Sequence, residues 1–345
     1  MIRRLLLPLT PGALVVVLDR LDVAGGLVLF VLAAAALIPL AWLIGEATDQ
    51  AAHYTGPGIG GLLNASFGNA PELIIALVAV SEGLTEVVRA SLAGSVIGNL
   101  LLVLGFTLLV ARPGRLDRTS AFVSLGTVGV AVLLLLIPTL AASGGDPDRH
   151  SLAVLSLPVA VALLGIRILV SRRSFRRNRR LQAEADPVEI DGWSLRLAVG
   201  VLAAATLVTA FVTETLVGSI DAFANGAHLS RFFVAAVIVA IIGNAAEHGS
   251  AVLLAARGEL RLAAEIALAS SAQVAGLLIP AVALLSWAIE PLSLSFRAAE
   301  IVGIGGAALA AALVLAPKRT SRAGGAVLLG AYVVLAVSFY LVGDR

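Results

Sequence analysis

GNAPE at residues 68–72 lies inside the apolar run Ile59–Val80, and GNAAE at 243–247 lies inside the apolar run Phe232–Ala255. The copies are offset by 175 residues. The same register matches Ala76 to Ala251, Gly83 to Gly258 and Ser95 to Ser270, and sets Asp221 opposite Glu46. An amide and a carboxylate repeated inside two corresponding apolar runs read as an internal repeat. Glu72 stands 13 residues beyond Ile59, and Glu247 stands 15 beyond Phe232. At ~1.5 Å per residue each acid lies about 20 Å along a helix, deep in hydrocarbon if these runs cross a membrane.

The rest of the chain supports the crossing. Of its 345 residues, 59% are hydrophobic and 13% are charged, against about 45–50% and about 25% in soluble domains. Soluble enzymes, nucleic-acid binders and disordered scaffolds are excluded, and an all-α polytopic membrane protein remains. Ten runs approach the ~20 residues a crossing needs: Val23–Gly45, Ile59–Val80, Val87–Val110, Thr119–Leu140, Leu152–Val170, Leu195–Leu216, Phe232–Ala255, Leu262–Ile289, Ala298–Ala316 and Gly324–Val342. Leu5–Leu18, broken by Pro8 and Pro11, makes an eleventh. No run alternates polar and apolar residues as a barrel strand does. There is no Cys, so disulfides and thiolate metal sites are absent.

The expected organisation is a first helix in 1–22, a five-helix repeat in 23–171, a linker in 172–194 and a second five-helix repeat in 195–345. With the N-terminus in the cytoplasm, Lys and Arg divide 18 to the cytoplasmic side and 6 to the other, together the chain's 24. That bias follows the positive-inside rule. Five spans separate the two GNA copies, an odd number, so they enter the membrane from opposite sides. Inverted repeats place a site at their interface near the midplane, and rocking about it gives alternating access.

An ionised acid at that depth costs several kcal/mol without a partner. No Lys or Arg is read as lying deep in a span, so the partner is a mobile cation, a proton or a polar neighbour. Two carboxylates at one place are hard to ionise together. A divalent cation needs them ionised and expels protons on binding. The pair Glu72 and Glu247 therefore holds a hard cation or protons, but not both, which is the core of an antiporter. Asn69 and Asn244 add amide oxygens, and Gly68 and Gly243 permit local unwinding. Such oxygen donors suit Ca²⁺, with Na⁺ and Mn²⁺ as alternatives. Ser91, Ser95 and Asn99 share one helical face, and Ser270, Ser271 and Gln273 occupy the corresponding place in the other half. Glu46 and Asp49 stand where a span ends, as an acidic vestibule, and Glu214 lies in the apolar run before Leu216. His248 is open to three readings: a ligand, a proton relay or a packing histidine.

Six stretches, PLAWLIGEATD (39–49), GGLLNASFGNAPELI (60–74), SLAGSVIGNLLLVLG (91–105), ETLVGSID (214–221), GNAAEH (243–248) and SSAQVAG (270–276), resemble the calcium/proton antiporters of the calcium/cation antiporter superfamily. The resemblance implies eleven helices, an extra first helix plus two inverted five-helix repeats. It implies Glu72 and Glu247 as the central cation and proton carboxylates. Asn69, Asn244, Ser95, Asn99, Ser271 and Gln273 become neighbouring polar groups of the site or its proton path, and Asp49 and Glu214 line access routes. Pro71 departs from the Thr or Val common there. The central loop opens with an Arg run before Glu184, Asp186, Glu189 and Asp191, where the family often carries an acidic helix.

The expected function is secondary exchange of Ca²⁺ for H⁺ without a cofactor beyond the transported ions. No nucleotide-binding loop G-x-x-x-x-G-K-[ST] occurs, so ATP does not drive it directly, and no protease-type signature marks an enzyme. Alternatives are a Na⁺-coupled exchanger, a broader Na⁺/H⁺ or Mn²⁺/H⁺ antiporter, and a cation channel. The expected partners are Ca²⁺, protons and the lipid bilayer, not nucleic acid. Assembly as a homo-oligomer is left open. The absence of a long N-terminal tail leads to the expectation of a prokaryotic plasma membrane.

Overall fold

Backbone groups in hydrocarbon must be satisfied locally, so runs that are apolar on every face become helices. The computed structural model describes the backbone of residues 7–182 and 192–344, and their side chains except 56–62, 64–66 and 173–182. Arg3, Arg4 and the acids Glu184, Asp186, Glu189 and Asp191 lie outside the described residues.

In chain order the helices are α1 (Leu9–Arg20), α2 (Gly26–Phe67), α3 (Ala70–Ser81), α4 (Thr85–Val110), α5 (Arg118–Ala141), α6 (His150–Gln182) and α7 (Leu195–Gly218). They continue as α8 (Ile220–Ala227), α9 (Arg231–Gly243), α10 (Ala245–Ala256), α11 (Leu260–Ala288), α12 (Ala298–Leu315) and α13 (Arg322–Val342). Side-chain oxygens of Asp117, Ser194, Ser230 and Ser321 cap α5, α7, α9 and α13, each satisfying an amide the helix leaves open.

Among the described residues eight helices are long and apolar enough to cross a membrane, or nine when α8 and α9, bent by 112°, count as one span. The expected runs are divided differently. α1 has only 12 residues. Both GNA motifs break their helices: α3 and α10 start just after Asn69 and Asn244, with 12 residues each. The first two runs are joined in α2, which has 42 residues. Gly26 and Leu27 pack on Ala222 and Gly226, whereas the Tyr54 hydroxyl donates to the Trp193 carbonyl at 2.7 Å. This stretch therefore runs antiparallel to the whole of α7. A straight continuation would place Gly68 about 28 Å past Asp49, yet Gly68 lines the same cavity as Ala41, Glu46 and Asp49. The chain therefore bends back between Tyr54 and Gly68. The Arg-rich start of the expected linker continues α6 as far as Gln182.

Tertiary contacts define two ends of the bundle. At one, Arg261 reaches Asp117 at 3.4 Å and Gly114 exchanges hydrogen bonds with Thr320. At the other, Arg89 pairs with Asp148 at 2.7 Å and Arg297 pairs with Glu86. We refer to them as the Arg261 end and the Arg297 end. α3 runs toward the Arg297 end and α10 toward the Arg261 end. Both finish on a glycine at positive φ, Gly83 at 70° and Gly258 at 92°, which a side chain would strain. Outward faces are apolar: Leu341 is 76% exposed and Val302 69%, a surface fit for lipid rather than water.

One expectation about charge is corrected. Arg167, counted among the cytoplasmic cations where no Lys or Arg is expected deep in a span, lies within α6, and its stem packs on Gly276, midway along α11. A methyl on Gly276 would sit 3.4 Å from Arg167 Cβ and 3.5 Å from Cδ. The long aliphatic stem makes this tolerable because it covers apolar surface while the guanidinium stays half-buried.

Candidate functional site

Asn69 and Asn244 have nearly the same backbone, with φ, ψ of −102°, 19° and −95°, 6°. Neither is helical, so each ends one helix and opens the next. Glu72 and Glu247 consequently fall in the first turns of α3 and α10, where free amides and the helix dipole favour negative charge. The sequence predicted unwinding at Gly68 and Gly243. It did not predict that the unwinding would place each acid at a helix start.

Glu247 lines a cavity of about 430 Å³ with Glu46, Asp49, Thr48, Ser250, Ser270 and Gln273. Glu247 stands at the deep end of α10, and Asp49 and Ser250, which lie further toward the Arg261 end, are exposed, so the cavity opens on that side. Glu72 is not on it. It is 6% exposed and faces a small void lined by Ser91, Ser95, Val239 and Ala240. Gly243 borders both spaces. A methyl there would lie 3.1 Å from Glu72 Cγ, so a glycine lets the acid close against the helix.

Around the acids runs a chain of side-chain hydrogen bonds. Asn69 donates to Gln273 at 3.0 Å. Asn99 donates to Ser270 at 3.0 Å and to Asn244 at 3.3 Å, and Asn244 donates to Ser95 at 2.9 Å. Ser270 lines the same cavity as Glu247. Both oxygens of Glu72 and Oε2 of Glu247 are buried without a hydrogen-bond partner. Unsatisfied buried acceptors are costly, and the oxygens of these two acids are what a cation or protons would satisfy. Among the described residues no group of three or more His, Cys, Asp and Glu gathers as a metal site. The donors brought together are two carboxylates and the oxygens of amides and hydroxyls.

Three expected residues lie elsewhere. Glu214 pairs with Arg20 at 3.4 Å, near the Arg297 end and away from the cavity that Glu46 and Asp49 line. The Ser271 hydroxyl is spent on the Ala267 carbonyl at 2.8 Å. His248 does not line the cavity, and its Nε2 is buried without a hydrogen-bond partner. Two features escaped the sequence reading. π-helical turns at Gly98–Val103 and Val274–Leu278 put an extra residue into α4 and α11 beside Asn99 and Gln273, a distortion common at functional sites. Gly94 packs its Cα against the backbone of Ala236. Neither has a signal in a single sequence, since both arise from packing between distant segments.

Comparison with known proteins gives concordant results. The family described as sodium/calcium exchanger protein matches residues 25–171 and 197–341. The Ca(2+)/H(+) antiporter ChaA of Bacillus subtilis is 36% identical, with 91% of this chain and 92% of that protein covered. The Ca(2+)/H(+) antiporter of Synechocystis sp. is 34% identical, covering 92% and 91%. The solved structure of native YfkE superposes with a TM-score of 0.82 at 32% identity, covering 98% of this chain and 99% of that one.

Proposed function

This chain belongs to the sodium/calcium exchanger protein family, and from that premise we propose that it is a secondary active transporter exchanging Ca²⁺ for H⁺ by alternating access, not an enzyme. One observation carries the reading: two acids in the first turns of oppositely directed helices, one facing an open cavity and one sealed behind a glycine. The relatives named above are calcium/proton antiporters, which supports the choice of ions.

The residues act in sequence. Glu46 and Asp49 attract cations into the cavity. Ca²⁺ meets Glu247 first, and its charge makes ionisation of both acids favourable, so their protons leave through the cavity. Asn69, Asn244 and Gln273 supply amide oxygens as Glu72 joins. Closure on the cavity side and parting on the other release Ca²⁺, and protons then take its place. Because the acids hold the cation or the protons, an empty, charged pair does not cross cheaply, and the two fluxes are coupled.

Two inverted five-helix repeats belong to this reading. Their support is the likeness between Asn69 and Asn244, between Gly83 and Gly258, and between the π turns of α4 and α11, which stand beside a third in α9 at Val234–Val239. Eleven crossings follow if α1 crosses and α2 folds back after Tyr54. We place the Arg261 end in the cytoplasm of a prokaryotic inner membrane, with the N-terminus on that side. At the other end Arg20, Arg89, Arg231 and Arg297 each pair with a carboxylate, which sharpens the asymmetry of free positive charge.

Everted vesicles with an imposed pH gradient test the exchange. Ca²⁺ uptake is expected to follow the gradient and collapse with a protonophore. Uptake that requires Na⁺, or passage down the Ca²⁺ gradient without proton movement, would overturn it in favour of a sodium-coupled exchanger or a channel. The vestibule gives a second expectation. Glu46→Gln with Asp49→Asn should raise the half-saturating Ca²⁺ concentration severalfold at low salt and hardly at all near 1 M salt, where the screening length falls to ~3 Å. An effect independent of salt would remove these two acids from the entry route.

A further inference from the structure

We propose that Arg297 is the positioning residue that holds the site closed toward its own end, by tying together the first turns of the two helices that must part to expose Glu72. This rests on the exchange reading above. The void at Glu72 lies between α4, which supplies Ser91 and Ser95, and α9, which supplies Val239 and Ala240. Beside this void the two helices touch closely, Gly94 against the Ala236 backbone. A path from that end to Glu72 therefore runs between α4 and α9.

Arg297 grips both. Its guanidinium pairs with Glu86, in the first turn of α4. It also stacks 4.1 Å over the ring of Phe232, in the first turn of α9. Arg297 itself is anchored to the frame. Its backbone amide is capped by the Glu300 side chain of α12, and Nη1 donates to the Gly343 carbonyl beyond α13 at 2.6 Å. The next residue, Asp344, accepts hydrogen bonds from the Phe232 and Arg231 amides at 2.9 and 3.2 Å. The extended segment before Arg297 is stitched down as well: Ser293 and Ser295 donate to the Pro147 carbonyl, and the Leu294 amide donates to Ser156. Arg297 is 6% exposed. Glu86 keeps 29% of its side chain open to water, so the pair adds little to stability, but losing Glu86 leaves the buried Arg297 charge stranded. Such a pair is suited to a switch: parting of α4 and α9 would let water reach both ions.

The native chain has no Cys, so a single Val239→Cys reports access to the void without interference. In this background a small membrane-impermeant cationic thiol reagent is applied separately from each face of reconstituted vesicles. Arg297→Gln is expected to speed labelling from the Arg297 face by about tenfold or more, which corresponds to ~1.4 kcal/mol of lost closed-state preference. Glu86→Gln should act in the same direction, and it serves in place of Arg297→Gln if that variant does not fold. Arg297→Lys, which keeps the charge and the stacking, should label close to the native rate. Unchanged rates in both neutral variants, or equal increases from both faces, overturn the proposal. Labelling requires no transport, so the latch and the exchange reading fail separately: vesicles that exchange Ca²⁺ for H⁺ but show no sided labelling refute the latch alone.

Discussion

Glu247→Gln is expected to abolish proton-coupled Ca²⁺ movement while leaving the protein folded. The amide has nearly the shape of the carboxyl, and the hydrogen-bond chain through Asn99, Asn244 and Ser95 does not run through it, so that chain has no reason to break. What is lost is a negative charge facing a divalent cation. Removing one partner of a buried charge pair costs about 3–5 kcal/mol, and each ~1.4 kcal/mol is tenfold. Ca²⁺ affinity from the cavity side should therefore fall by about 10²–10⁴-fold. The glutamine also has no proton to return, so the remaining carboxyl cannot couple the fluxes. Glu72→Gln should be equally inactive, for the acid behind Gly243 is needed to complete the cation's oxygen shell. Isotopic Ca²⁺ flux under a pH gradient, beside a melting curve in detergent, reads both expectations. Retained proton-coupled flux in either variant would refute the roles assigned to these acids.

The second large effect is structural. In Gly94→Val the new Cβ would overlap the carbonyl of Ala236 and come within 2.9 Å of Ala240 Cβ. The obstacle is backbone, so no rotamer relieves it, and α4 and α9 must separate. Overpacking of this kind costs about 3 kcal/mol when the neighbours cannot yield. The detergent melting temperature should fall by several degrees, and Ca²⁺ flux should fall with it, because the displaced helices carry Ser95 and Asn244. Gly98→Ala is the matched control. It lies one turn further along α4 with nothing within 4 Å of the added carbon, and should leave both readouts nearly unchanged. A stable, fully active Gly94→Val protein would show that the close approach is dispensable.

Much of the candidate site was legible because its residues announce themselves. A carboxylate beside an amide inside an apolar run is expensive, and a second copy at a fixed offset marks a designed position. The vestibule was half legible. Glu46 and Asp49 line the cavity as their place near a span end suggested. Glu214, judged by the same rule and by the resemblance, turned to Arg20 instead, because an exposed acid follows whichever cation the fold sets beside it. Arg167 misled for a related reason. Its place three residues before the end of an apolar run cannot tell a span end from a span interior when the helix continues to Gln182.

By itself the sequence determined that this is a membrane protein built of helices, and that Glu72 and Glu247 stand in matching settings within apolar runs. Those conclusions rest on transfer of single residues and on hydrogen bonds within one segment, both local quantities. Only the tertiary structure decided that Glu247 meets open space while Glu72 is shut away, and that Arg297 joins four helices at the far end. Each depends on which side chains arrive from segments scores to hundreds of residues distant, and on how tightly two backbones pack where they cross.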